Sequence, residues 1–244
     1  MKNKRSVDLI LPFYHPTGDW EKRVAESVSF LKKHFEEKGL SLTVSLVNDG
    51  SDLSYFPEEK LDPIRKAAGD FRFLSYPENH GKGYCLRYAV SRAENEYQIY
   101  TDGDFPFSPQ SAADACDALL AGADVVMGIR SSDYKKALSP LRKLLSAGVR
   151  KMNRFLLNLP EKYLDTQSGL KGFNSKGKEM FLKTKVDTFV FDTEFIMLSY
   201  RNNLNIKTIP LTLRPGLTFS RMGFRIMFRE LFQFLKILMR LRFT

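Results

Sequence analysis

Cysteine is nearly absent from this sequence: Cys85 and Cys116 stand alone, with no CxxC spacing and no nearby pair of histidines. That excludes a disulfide framework and gives no support to a zinc site, so a reducing compartment is expected. A signal peptide is not expected either. Met1 to Arg5 is basic, but the β-like run that follows, Ser6 to Leu11, is short and carries Asp8, which does not suit a secretory leader. The expected location is the cytoplasm. Internal repeats and low-complexity linkers are also lacking, which leaves no sign of a modular array.

What is present suits one sizeable α/β domain with a hydrophobic core and a short appendage, because the chain has 244 residues, 43% apolar and 27% charged. The formal charge is +10, which calls for an anionic partner: nucleic acid, a phosphorylated ligand or an acidic membrane surface. Much of that charge lies in the tail. From Arg214 onward seven basic residues face only Glu230, while the body is nearly balanced.

Along the chain, Val7 to Leu11 reads as a buried strand, and Val24, Val28, Leu31 and Phe35 have helical spacing that ends at Gly39. Strands are expected at Leu42 to Val47, Phe71 to Tyr76, Gln98 to Thr101, Asp124 to Met127 and Ile206 to Leu213. Helices are expected at Tyr84 to Ala93, after Pro109, from Ser139 to Asn158 and around Thr193 to Asn202, with a polar turn at Asp165 to Gly169. Alternating strands and helices imply a mostly parallel, Rossmann-like sheet with helices on both faces. Ligands in such sheets bind at the carboxyl ends of strands. The polar clusters Phe13-Tyr14-His15, Asn48-Asp49, Asn79 to Gly83 and Asp102-Gly103-Asp104 all follow strands, so they are expected to converge on one edge.

Asp102 and Asp104 bring two carboxylates to a strand end, a donor set that suits Mg²⁺ or Mn²⁺ shared with substrate phosphates; a solvated acidic turn is the alternative. Asn48 to Ser51 has the composition of an ordinary turn. His80-Gly81-Lys82-Gly83 suits a loop around a phosphate or base, without the spacing of a Walker loop.

Taken together and in order, VDLILPFY (Val7 to Tyr14), VNDGS (Val47 to Ser51), ENHGKG (Glu78 to Gly83), DGD (Asp102 to Asp104), VVMGIR (Val125 to Arg130) and DTQSGLKG (Asp165 to Gly172) resemble glycosyltransferase family 2. The nearest likeness is to the dolichyl- or polyprenyl-phosphate hexosyltransferases, over about residues 6 to 223. The resemblance implies a GT-A fold over residues 1–222, inversion at the anomeric carbon, a nucleotide-sugar donor and a divalent metal. It assigns Pro12 and Tyr14 to the nucleoside pocket, Asp49 to the base or ribose, and Lys82 to the neighbourhood of the nucleotide. Asp102 and Asp104 would serve the ribose and the metal-diphosphate unit, with Asp104 the main catalytic residue. Arg130 would lie near donor or acceptor, Gln167 and Ser168 would contact substrate, and Arg221 would clamp a phosphate. The chain departs from the pattern at three places: Pro106 stands where relatives place a glutamine, Asn48 where Asp is commoner, and His15 where Asn is frequent.

The acceptor decides whether a base is needed. A lipid phosphate arrives largely ionised, whereas a glycan hydroxyl requires a general base, for which Asp192 and Glu194 are the candidates; charge at a helix N-terminus is their plainer explanation. Residues 223–244 place Arg225, Arg229, Lys236 and Arg240 on one helical face and Phe224, Phe228, Leu231 and Leu235 opposite. A basic amphipathic helix of that kind lies in an anionic membrane interface, here the cytoplasmic face, or packs on the body or on a second copy in a homodimer. A sugar-nucleotide-forming nucleotidyltransferase is disfavoured because Phe13-Tyr14-His15-Pro16 replaces a Gly-rich loop. No nucleic-acid partner is expected, because the arginines alternate with a continuous apolar face.

Overall fold

A computed structural model of the chain describes residues 5–131, 140–188 and 190–214. Arg221 and the expected 223–244 helix lie outside them. Seven strands form one sheet in the order β3-β2-β1-β4-β6-β5-β7. They are β1 Ser6–Phe13, β2 Ser41–Asp49, β3 Asp70–Tyr76, β4 Tyr97–Thr101, β5 Val125–Arg130, β6 Leu170–Phe173 and β7 Ile206–Leu211. All neighbours pair in parallel except β6, which runs antiparallel to both β4 and β5.

The alternation of β1 divides its side chains between two cores. Val7, Leu9, Leu11 and Phe13 meet α1 (Trp20–Glu37), α2 (Glu58–Ala68) and α4 (Pro109–Leu120) on one face. Ile10 faces α3 (Lys82–Val90), α6 (Ser175–Leu182) and α7 (Phe191–Arg201) on the other. The stripe Val24, Val28, Leu31 and Phe35 of α1 is buried to 1% exposure or less, each side chain contributing about 1.5–3 kcal/mol of hydrophobic stabilisation. Gly39 ends the helix at φ 73°, with its N–H on Glu36 O, a conformation glycine adopts without penalty. Cys85 and Cys116 belong to opposite cores, and burial pushes both thiols up to about 12. Neither is a reactive thiol.

Helix α5 (Pro140–Leu156) matches the expected basic helix, and β7 the expected last strand. Three elements escape the sequence pattern. Helix α2 carries Pro63 in its interior, so only Leu61, Ile64 and Ala68 mark its buried face. Strand β6 is four residues long and holds Lys171 and Gly172, where no apolar alternation is visible. Helix α6 is short and is capped by Asn174, whose side chain accepts from Lys176 N and Gly177 N.

Candidate active site

The carboxyl ends of β1, β2, β3 and β4 converge with the antiparallel start of β6. After β4 the chain turns tightly, with Phe105 N donating to Asp102 O at 2.9 Å. Phe105 adopts φ 48° while its ring is buried to 1% exposure in the first core. Burial of the ring thus holds a backbone conformation that a bulky residue avoids. Gly103 crosses the end of β1, where an added methyl would lie 2.7 Å from both Pro12 O and the Phe13 ring. Pro12 therefore supports the acidic turn with its backbone. The turn leaves Asp104 exposed, with Arg23 Nε reaching its carbonyl at 3.4 Å. The Asp104 carboxyl is raised above the ordinary range by burial and then by the Asp102 charge, and its contact with solvent screens both effects.

Asp102 is held more firmly. Its Oδ1 pairs with Lys82 Nζ at the start of α3. Burial acts to lower the Lys82 pKa, but the charges of Asp102 and Asp192 outweigh it and raise the value. The other oxygen of Asp102 packs on Gly169, where a methyl would approach Oδ2 to 2.0 Å. The β4–β6 register explains this: Tyr100 pairs with Lys171 and Thr101 with Leu170, so the next facing positions are Asp102 and Gly169.

Asp49 organises the loop that carries Lys82. Its carboxylate accepts from Tyr76 Oη at 2.7 Å, Asn79 Nδ2 at 2.8 Å, His80 N at 3.0 Å and Gly81 N at 3.1 Å. The expectation that Asp49 holds base or ribose meets a side chain that is 4% exposed and already bound to its own loop. Asn48 is fully buried too, bridging Ser51 O at 2.7 Å, Ser51 N at 2.8 Å and Ser75 Oγ at 3.1 Å. Its difference from the commoner Asp is accommodated inside the turn. Tyr14, 53% exposed, stacks on His15 with centroids 4.1 Å apart, and His15 stacks on Tyr55 at 5.0 Å. An aromatic ladder at the end of β1 is a suitable platform for a nucleobase.

On the other side of the cleft, Asp165 accepts from Arg130 N at 2.8 Å and from its guanidinium through Nε and a terminal nitrogen. Burial acts to raise the Asp165 pKa, but Arg130 overcomes it and holds the carboxyl below its ordinary value. Arg130 thus pairs with the DTQSG turn itself. Beneath that turn, Lys171 has no exposure; its Nζ lies 3.1 Å from Asp192 and 3.3 Å from Ser168 Oγ, and it also bonds Ser168 O. Tyr100 Oη donates to the same Asp192 carboxylate. Burial lowers the Lys171 pKa against the pull of Asp192.

These contacts bear on the two expected bases. Asp192 and Glu194 are 3% and 4% exposed. The first neutralises Lys171, and the second accepts from Lys185 N and Val186 N, each at 2.8 Å. Both carboxylates are buried and engaged by these groups. Ser168 is also buried, its hydroxyl beside Lys171, whereas Gln167 reaches solvent. Among the described residues no group of three or more His, Cys, Asp and Glu could hold a metal alone. Asp102 and Asp104 fit a hard cation that takes its remaining ligands from diphosphate oxygens and water.

The Glycosyl transferase family 2 model matches residues 8–235. The chain belongs to glycosyl transferase family 2. A dolichyl-phosphate beta-glucosyltransferase of Trichomonas vaginalis is 26% identical over 217 residues, covering 84% of this chain and 64% of that protein. The Saccharomyces cerevisiae dolichyl-phosphate beta-glucosyltransferase is 23% identical, covering 84% of this chain and 66% of its own. The chain thus spans about two thirds of the length of these relatives. Glucosyl-3-phosphoglycerate synthase of Mycobacterium tuberculosis, solved with Mn²⁺, UDP and glucosyl-3-phosphoglycerate, has a TM-score of 0.62 at 17% identity, covering 98% of this chain and 80% of its own. That likeness shows the GT-A-like fold.

Within this family 2 fold the sequence pattern missed Gly169, Lys171 and Tyr100 as site builders. The short DTQSGLKG motif contains two of them, but only the antiparallel pairing of β6 with β4 brings them under Asp102. Tyr100 carried no signal beyond being an apolar-type strand residue.

Proposed function

We propose that this glycosyltransferase moves a hexose, with inversion, from a nucleoside-diphosphate sugar to a polyprenyl phosphate. One observation carries the choice of acceptor: the only carboxylates placed by motif for a base, Asp192 and Glu194, are buried and bound to Lys171 and to backbone N–H groups. With both of those candidates engaged among the described residues, the site suits an acceptor that arrives ionised. The names of the two dolichyl-phosphate relatives support the same reading.

In this reading Tyr14 and the ladder behind it receive the nucleoside, Asp49 shapes the loop that carries Lys82, and Lys82 and the Asp102–Asp104 turn receive the diphosphate. Mg²⁺ or Mn²⁺ held by Asp104, with Asp102 beside it, would stabilise negative charge on the departing diphosphate. Lys82 adds a fixed positive charge at the same place, and Arg130, held by its pair with Asp165, is assigned to donor or acceptor. Arg221, outside the described residues, is assigned to a phosphate by its motif alone. No described helix is long and apolar enough to cross a membrane. We assign membrane contact, at the cytoplasmic face, to the amphipathic segment 223–244, which carries Arg225, Arg229, Lys236 and Arg240.

A donor screen tests the proposal. Purified protein, Mn²⁺ or Mg²⁺, polyprenyl-phosphate vesicles and radiolabelled nucleotide sugars should put label into an acid-labile lipid fraction. Label appearing only in a soluble glycan would replace the acceptor and keep the family chemistry.

A further inference from the structure

We propose that Gln167 is the residue through which this site distinguishes one hexose from another; the proposal rests on the glycosyl-transfer reading and names the part of the donor that Gln167 reads. From Tyr163 to Phe173 every residue is buried except Gln167. Its turn is held at both ends by cations. Arg130 grips Asp165 through backbone and guanidinium, and the buried Lys171 grips Ser168 while neutralised by Asp192. Between them Thr166 Oγ1 lies 2.7 Å from Thr193 Oγ1 and accepts from Asn153 Nδ2 at 3.0 Å. Ser168 N closes the turn onto Asp165 O at 3.3 Å.

So much fixation around one solvent-reaching side chain is the arrangement of a preformed contact, since precision at a site comes from the packing behind it. The place is informative. Gln167 stands two residues from Asp165, which holds Arg130, and two from Gly169, which packs on Asp102. Its turn therefore runs between the Gly169–Asp102 contact and the Asp165–Arg130 pair, the stretch that the glycosyl-transfer reading gives to the transferred sugar. Its chemistry is informative too. Lys82 and Arg130 already supply charge for phosphates, whereas a neutral amide offers one acceptor and two N–H donors, the complement of sugar hydroxyls. Gln167 makes no hydrogen bond to another described residue, so its amide is available for that purpose. A site built to hydrogen-bond a hydroxyl rejects a ligand that misplaces it far more strongly than an apolar pocket does.

Calorimetry in Mn²⁺ tests this without any acceptor. UDP-glucose, UDP-galactose, GDP-mannose and GDP-glucose are titrated into wild type, Gln167→Ala and Gln167→Glu, each compared with free UDP or GDP. Both variants should lower the preference between the epimers by about tenfold or more, with affinity for the free nucleotide unchanged. An unchanged epimer preference overturns the proposal. So does an equal loss of affinity for the free nucleotide, which would make Gln167 a nucleotide ligand. Failure of transfer to polyprenyl phosphate would sink the acceptor assignment and leave this result standing, whereas a wild type that bound no nucleotide sugar would overturn both.

Discussion

Asp102 and Gly169 face each other just beyond the last β4–β6 pair, so closely that a methyl on Gly169 would lie 2.0 Å from Asp102 Oδ2. The glycine of one motif thus makes room for the carboxylate of another, more than sixty positions away in sequence. Lys82 holds the opposite oxygen of Asp102. The carboxylate is fixed from two sides before any donor arrives.

Gly169→Ala is expected to displace Asp102 and break its pair with Lys82. Overpacking of this kind costs about 1–3 kcal/mol, and transfer should fall far more than the folded fraction does. Thermal unfolding and turnover measured on one preparation separate the two effects; full activity in the variant would contradict the fixed position of Asp102.

Asp104→Ala should abolish transfer, with a loss on the order of 10²–10³-fold or greater, because it removes the exposed carboxylate proposed to hold the metal. The fold should persist, since Asp104 is exposed and its turn is pinned by Phe105. Chelation of divalent cations should reproduce the defect in wild type. Wild-type turnover by the variant in the presence of metal would remove Asp104 from the mechanism.

Glu194→Gln should keep activity within about tenfold, because its backbone contacts survive in part and no acceptor hydroxyl has to be deprotonated; loss of a true general base costs roughly 10²–10⁴-fold. Asp192→Asn leaves Lys171 without its counterion, so its main effect should be on stability, about 3–5 kcal/mol for a broken buried pair. Activity per folded molecule is the quantity to compare. A collapse of that quantity in Glu194→Gln, with donor binding intact, would favour a glycan hydroxyl as acceptor.

The sheet and its cleft were legible because β1, β2, β4 and β5 are apolar runs ending in polar clusters, and that pattern follows from burial on both faces. Asp102 and Asp104 were legible for the same reason, since they follow β4, whereas Lys82 showed itself through the two glycines that flank it after β3. Asp49 and Asn48 were harder, because a turn residue and a ligand residue have the same composition, and only the bonds to Tyr76, Asn79 and Ser51 separate the roles. Lys171 was invisible as a site builder. A lysine in a four-residue strand looks like a surface position until pairing with β4 places it over Asp192.

Asp8 supplies a pH test remote from the cleft, since it lies near the start of β1 while the site lies at the strand's end. Its Oδ2 accepts from Asn95 N at 3.0 Å, whereas its Oδ1 is buried with no hydrogen-bond partner. Burial raises the Asp8 pKa against the opposing pull of Asn95, Arg72, Gln98 and Lys178. With the folded pKa above the unfolded one, the native state binds the proton more tightly, so stability falls as pH rises from the ordinary carboxylate range through the raised value. Above that value the full penalty remains. Asp8→Asn should therefore stabilise the fold near pH 7.5 by about 1 kcal/mol, the scale of one unsatisfied buried polar group, because an amide can keep the Asn95 contact and offer an N–H to Gln98 Oε1, itself without a partner. The gain should vanish below about pH 4, where Asp8 is protonated in both states. Urea midpoints at the two pH values check the sign: a variant less stable than wild type at pH 7.5 would show that the charged carboxylate supports the fold.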